Sequence, residues 1–176
     1  MGKTARSKDE RALEAAEGYL ALDMPDHALR ELVRLNDPDA SRPALYALRG
    51  EALRQKEDWD QALKAYETVL ADDPADVSVL MGMSWCYKRT DRLSRAIEAT
   101  EQAYEAAPEE PIVLYNLACY HALNGDKSQA LSWLGRALRM ESSLRKLIPN
   151  ESDFDRLRND PDFQFVAQAH DAANET

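Results

Sequence analysis

Leu114-Tyr115-Asn116-Leu117-Ala118, then Asn124-Gly125-Asp126, then Ala130-Leu131 and Ala137-Leu138, follow one another within residues 114–138. Leu114 and Ala118 are four apart and share a helical face. Gly125 suits a left-handed helix cap and Asp126 an N-cap, so the stretch predicts two helices joined by a tight turn. Counting back from Ala130 in intervals of 34 residues lands on Ala96, Ala62 and Ala28. Each alanine precedes an aliphatic residue: Leu131, Ile97, Leu63 and Leu29. Self-similarity at a fixed period is the mark of a repeat architecture and changes what every motif inside it means.

Other positions keep the same register. Nine residues before the alanines stand Tyr19, Leu53, Tyr87 and His121, and three before those the small residues Ala16, Gly50, Ser84 and Ala118. Seven after come Leu35, Val69, Ala103 and Ala137; twelve after come Ala40, Pro74, Pro108 and Ser142, two of them helix-stopping prolines. The pairs Tyr46/Gly50, Leu80/Ser84 and Leu114/Ala118 put an apolar residue on the face of each small one. The small residue is expected to admit the alanine of the unit's second helix. Lys56-Glu57-Asp58, Thr90-Asp91-Arg92 and Asn124-Gly125-Asp126 are the turns between the helices. A lone helix pair cannot bury both its faces, so the units must stack.

These residues resemble the tetratricopeptide repeat family. The unit from Leu114 to Leu138 is close to the family pattern, and the two before it match at Tyr46, Gly50, Trp59, Ala62, Tyr66 and Pro74, and at Leu80, Tyr87, Ala96 and Pro108. The first unit is degenerate, with Ala12 where a large residue is usual, Pro25 in the turn and Ala40 in place of the closing proline. The resemblance implies an all-α fold, an α-solenoid (right-handed superhelix) of four tetratricopeptide helix pairs plus C-terminal capping helices. The expected organisation is a basic N-terminal tail over 1–8, repeats over 9–42, 43–76, 77–110 and 111–142, and a capping segment over 143–176.

Composition agrees with a helical binding protein. Among 176 residues, 44% are hydrophobic and 31% charged, with 6 Gly and 8 Pro, a profile at odds with an all-β barrel. Asp and Glu total 32 against 22 Lys and Arg, a net charge of -10, so nucleic acid and anionic membranes are disfavoured as partners. The start of the chain has Glu14 and Glu17 where a secretory signal would be uncharged, and Arg6 breaks the myristoylation pattern. Cys86 and Cys119 form no disulfide framework. A cytoplasmic location is expected.

Past Met140 the period lapses. Leu144 to Ile148 reads as a short helix stopped by Pro149, and Ser152 as an N-cap for the turn through Leu157. Asp160 and Pro161 read as the cap and first turn of a helix with Phe163, Val166, Ala167 and His170 on one face. The segment looks like the phenylalanine-bearing tail that closes many bacterial arrays of this family. Phe154, Leu157, Phe163, Phe165 and Val166 are too much apolar surface for a solvated tail, and Leu131, Leu134 and Leu138 are expected to receive them.

Catalytic signals are weak. His27, His121 and His170 lie on three elements with no triad spacing around them, and packing histidines are expected. Cys119 and His121 are two apart on a helix and aim at different faces, and Asp153 and Asp155 lack the rest of a calcium loop, so no metal and no cofactor is expected. The chain reads as a non-enzyme.

By the family's geometry, first helices line a concave groove. The resemblance places Ala44, Ala47, Glu51, Arg54 and Gln55 there, then Ser78, Met81, Trp85, Lys88 and Arg89, then Ile112, Tyr115, Cys119, Ala122 and Leu123. The candidate ligand-binding residues are Arg54, Met81, Trp85, Lys88, Arg89, Ile112, Tyr115, Asn116 and Cys119, with Asn116 offering an amide to a ligand backbone. The Lys/Asn clamp with which some relatives grip a C-terminal carboxylate is not reproduced. A non-catalytic adaptor or scaffold is therefore expected, a monomer or weak homodimer binding a peptide or helix with apolar anchors and acidic residues. The alternatives are a small acidic chaperone for secreted or assembling subunits, or a self-associating structural element. In each case the groove could instead be filled by another segment of this chain.

Overall fold

The computed structural model describes residues 7–39 and 42–168, and no β-strand is found among them. Contacts divide the chain into two compact units, residues 1–90 and 91–176.

The first unit holds α1 (Lys8–Ala21), α2 (Pro25–Leu32), α3 (Arg42–Gln55), α4 (Trp59–Asp72) and α5 (Val77–Arg89). Their starts are set by local chemistry. The Ser7 hydroxyl accepts from the Glu10 N–H at 3.0 Å while the Glu10 carboxylate accepts from the Ser7 N–H at 2.7 Å, a reciprocal cap for α1. Pro25 takes the first turn of α2, where its missing N–H costs nothing. Asp58 and Asp76 cap α4 and α5 by accepting from Gln61 and Val79. The Asp9 carboxylate accepts from the Asn36 and Asp37 N–H groups and the Asn36 side chain, all at 2.9 Å, tying the loop after α2 to the start of α1. Ala16, Ala28 and Ala52 are fully buried between α1, α2 and α3, with Leu20 and Leu32 beside them.

A second cluster fills the space between α4 and α5: Ala62, Leu63, Tyr66, Val69, Val79, Met83 and Cys86. At its edge the structure corrects the expected packing. The space over Gly50 is taken not by Ala62 but by the Tyr66 ring. A Cβ on Gly50 would stand 2.4 Å from Tyr66 Cε1, and one on Gly82 would stand 2.7 Å from Tyr66 Cζ. One tyrosine is thus inserted against the bare backbones of two helices, α3 and α5, and both glycines are there to make room for it.

The second unit holds α6 (Leu93–Ala106), α7 (Pro111–Leu123) and α8 (Lys127–Met140), followed by 3₁₀ turns at Ser142–Lys146, Ile148–Asn150 and Ser152–Phe154 and then α9 (Pro161–Gln168). Helix α7 is buried on most of its circumference, with Val113, Leu114, Leu117 and Ala118 each fully enclosed. Leu134 and Leu138 of α8 are enclosed as well. Arg136 of α8 lies over the rings of Trp133 (4.4 Å) and Tyr104 (5.2 Å) and donates to the Tyr104 hydroxyl at 2.6 Å.

Over its described residues, 143–168, the tail folds in turns tighter than expected. Leu144 to Lys146 lie in a 3₁₀ turn, and the cap at residue 151 is the Glu151 carboxylate, accepting from the Asp153 N–H, in place of Ser152. Asp160 does cap α9, accepting from the Asp162 and Phe163 N–H groups. Phe154 and Phe163 are buried and stack at 5.3 Å, and Leu157 and Val166 are half-buried. Phe165 is an exception to the expectation: it is 76% exposed, because it lies two residues from Phe163 and so on another face of α9. His170 lies outside the described residues.

Candidate functional site

The expected groove residues fall in both units, and the two sets have different surroundings. In the first unit, α3 contributes Arg54 and α5 contributes Met81, Trp85, Lys88 and Arg89. Met81, Trp85 and Lys88 share one face of α5 through four- and three-residue spacing. Trp85 is 38% exposed, an unusual position for so large an apolar ring, and Met81 is half-buried. Cations flank the ring: Lys88 Nζ lies 5.3 Å from its centroid and the Arg54 guanidinium carbon 6.0 Å. Arg89 is exposed, stacked 5.6 Å from the Trp59 ring and 3.9 Å from the Glu57 carboxylate.

Arg54 is not an unengaged cation. Its Nε and Nη2 donate to the two oxygens of Glu51 at 2.8 and 2.5 Å, a bidentate pair one turn back on α3. Tyr66 donates its hydroxyl to a Glu51 oxygen at 3.3 Å, and Gln55 donates to Glu51 and to the Leu20 carbonyl. Burial pushes the Glu51 carboxyl up, but the Arg54 hydrogen bonds and charge outweigh it and leave it below the ordinary carboxylate range. The Tyr66 phenol is pushed up, by burial first and by the Glu51 charge second. The Glu51–Arg54 pair beside Trp85 is therefore internally neutral.

In the second unit the expected exposure is only partly present. Ile112 is 39% exposed and Asn116 half-buried, but the Asn116 amide already donates to the Ile112 carbonyl at 3.0 Å. Tyr115 and Cys119 are 2% and 1% exposed. They are covered by the chain's own tail: the turn Ser152–Phe154 lies on α7, with the Phe154 ring edge-on to Tyr115 at 5.8 Å. The physical reason is a demand for apolar cover at both places at once. Tyr115 continues the apolar surface of α7, and Phe154 is the apolar residue of the tail that reaches it. The tail's phenylalanines are expected from the sequence on α8, and the filling of the groove by another segment of this chain stands there only as an alternative; at Tyr115 and Cys119 it is that alternative which the structure has. The structure also brings Cys119 together with Glu151 and Asp153, whose ligand atoms all lie within 4.8 Å of one another.

Among the described residues, His27 and His121 have packing neighbours. His27 stacks on Tyr19 at 5.1 Å, and His121, 13% exposed at its side chain, has Nδ1 3.9 Å from Asp126. Among the described residues no helix is long and apolar enough to cross a membrane.

The tetratricopeptide repeat pattern matches residues 47–111 and 87–143, together more than half of the chain, and the chain belongs to the tetratricopeptide repeat family. Proteins of this family generally mediate protein–protein interactions, and their scaffolds are typically non-catalytic. Among curated proteins, the general transcriptional corepressor ssn6 of Schizosaccharomyces pombe (strain 972 / ATCC 24843) is 29% identical over 97 residues. That match takes in 54% of this chain but only 9% of the corepressor. Among solved structures, MamA superimposes with a TM-score of 0.69 at 19% identity, over 78% of this chain and 81% of its own. The Pseudomonas aeruginosa protein pilF gives 0.70 at 19% identity, over 93% and 77%. The Thermus thermophilus protein TTC0263 gives 0.67 at 20% identity, over 84% of each. At these identities the likeness shows the fold, that of the tetratricopeptide α-solenoids, and nothing of their partners.

Proposed function

We propose that the chain is a non-catalytic adaptor that binds a peptide or helix on the α3–α5 face of its first unit. The observation that carries this reading is Trp85, a large ring more than a third exposed, with half-buried Met81 one turn before it and the cation of Lys88 one turn after. A desolvated aromatic anchor of this kind dominates the energetics of most interfaces. The favoured ligand presents an apolar side chain to Trp85 and Met81 and a carboxylate to Lys88 or Arg89. On the second unit, exposed Ile112 and half-buried Asn116 are proposed as a separate contact, each to be tested by its own variant. A cytoplasmic setting suits two buried cysteines with no disulfide between them.

Self-association is the second reading, favoured by a different surface. Val33 is 86% exposed at the end of α2, beside a depression of about 430 Å³ lined by Leu29, Leu32, Leu45 and Leu53. Sedimentation over a range of concentrations separates the two: a monomer is expected for the adaptor, a persistent dimer for the assembly element.

The test of the adaptor is Met81→Ala combined with Trp85→Ala, assayed against peptides selected from a random library on the wild-type protein. The pair is expected to weaken binding by about 2 kcal/mol or more and to leave the melting temperature nearly unchanged, since these side chains are not in the core. Unfolding of the double variant would assign both residues to the core and contradict the reading.

A further inference from the structure

Trp133, Arg136 and Met140 follow one another along α8 at spacings of three and four residues and so share one of its faces. Tyr104 of α6 stands beside them in the same unit, its ring edge-on to Trp133 with centroids 4.9 Å apart. The Arg136 guanidinium lies over both rings, 4.4 Å from the Trp133 centroid and 5.2 Å from that of Tyr104. One arm, Nη2, donates to the Tyr104 hydroxyl at 2.6 Å. Three contacts therefore hold this long side chain in one orientation.

The rest of the guanidinium is open. Among the described residues Arg136 has no ion-pair partner, its contacts being the two rings and the Tyr104 hydroxyl. None of its nitrogens is buried without a hydrogen-bond partner, so the N–H groups that Tyr104 leaves reach water. In a chain with 32 Asp and Glu against 22 Lys and Arg, an arginine fixed in place yet left without an acid stands out. Its surroundings are not sealed: Trp133 and Tyr104 are half-buried, and Met140 is 44% exposed. Trp, Tyr and Arg are the residue types that carry most interface energy, and a side chain already fixed loses less entropy on binding.

We propose that this α6–α8 surface docks an amphipathic helix of a partner protein, which presents a carboxylate to Arg136 and, one turn away, an apolar side chain to Met140. Charge complementarity selects the acid, since a planar guanidinium fork matches a carboxylate. Exposed Glu101, one turn before Tyr104 on α6, and its neighbour Glu105 tell against a doubly charged phosphate in the same place. Spacing selects the helix. Arg136 and Met140 are four residues apart, about 6 Å along the axis, which is the rise between residues four apart on a partner helix lying along α8. The docking needs neither Met81 nor Trp85.

The test is a library of helix-forming peptides selected for binding to the wild-type chain and against binding to the Arg136→Gln chain. Survivors are expected to carry Asp or Glu one turn from an aliphatic or aromatic residue. They should bind Arg136→Gln more weakly by about tenfold or more, and lose as much when their own acid is replaced by its amide. Trp133→Ala should weaken them as well, whereas Met81→Ala combined with Trp85→Ala should not. That last arm separates this surface from the α3–α5 face, whose failure would leave the present result standing. If Arg136→Gln is unfolded by circular dichroism, Arg136→Lys replaces it in the selection, because lysine keeps the charge and loses the fork. No surviving peptide, survivors without an acid, or binding unmoved by the amide replacement would each overturn the proposal. So would a dimer in sedimentation that Arg136→Gln dissolves, which would give the surface to a second copy of this chain.

Discussion

At the scale of single residues, the first unit turns on the fit of Tyr66 between Gly50 and Gly82. The ring is 3% exposed, its hydroxyl reaches Glu51, and its edge lies where a Cβ on either glycine would go. Gly50→Ala is therefore expected to displace the ring and to destabilise the first unit by about 1 to 3 kcal/mol, an overpacking cost, despite alanine's better helix propensity. Chemical denaturation measures it; a stabilised variant would show that the ring moves freely. The small residue at position 50 was legible from its 34-residue register, as were Ala16, Ser84 and Ala118, all fully buried. What occupies the space beside it was not, because periodicity tells which positions face inward but not which side chain of the opposing helix arrives. Arg54 shows a related effect: its spacing suggests a cation for a ligand, while the Glu51 carboxylate three residues earlier already pairs with it.

At the scale of elements, the turn between paired helices recurs with the same backbone. Asp23, Glu57, Asp91 and Gly125 occupy equivalent places and all have positive φ, between 55° and 81°. Only the last is glycine, for which this region carries no steric penalty, and glutamate is poorly suited to it. Glu57→Gly is expected to stabilise the chain by roughly 0.5 to 1 kcal/mol, the relief of strain exceeding the added chain entropy of glycine and the weak, exposed pair with Arg89. A melting temperature that falls instead would show that the Glu57 side chain contributes more than its backbone costs. The tail is the second element-scale feature. Its burial was legible from composition, since Phe154 and Phe163 had to go somewhere, but its path over α7 was not, because the segment has no period from which to read a face. Removing residues after Met140 strips Ile148, Phe154 and Phe163 from the core, each contributing about 1.5 to 3 kcal/mol before ordering entropy is subtracted. It also uncovers Tyr115, Cys119 and parts of α8. The truncated chain should melt several degrees lower and aggregate on standing. Equal stability and solubility, with fast hydrogen exchange over 152–168 in the intact protein, would contradict the docking.

At the scale of the whole molecule, the repeat period made the fold class and family readable, whereas the binding surface was readable only in part. The period is a packing property and leaves a mark on every unit. A ligand site depends on which inward positions remain uncovered, and that is decided by side chains outside the repeat register: the Glu51–Arg54 pair, the Phe154 ring over Tyr115, the exposure of Trp85. The proposed ligand face is α3–α5 around Trp85, while the Tyr115–Cys119 face of α7 is closed by the chain's own tail. The most direct measurement is hydrogen–deuterium exchange of the intact protein with and without a saturating library-selected peptide. Added protection is expected over 42–55 and 77–89, with residues 113–122 already protected in the unbound protein and unchanged on binding. Protection confined to 25–35, or strong new protection over 113–122 with release of the tail over 148–163, would contradict it.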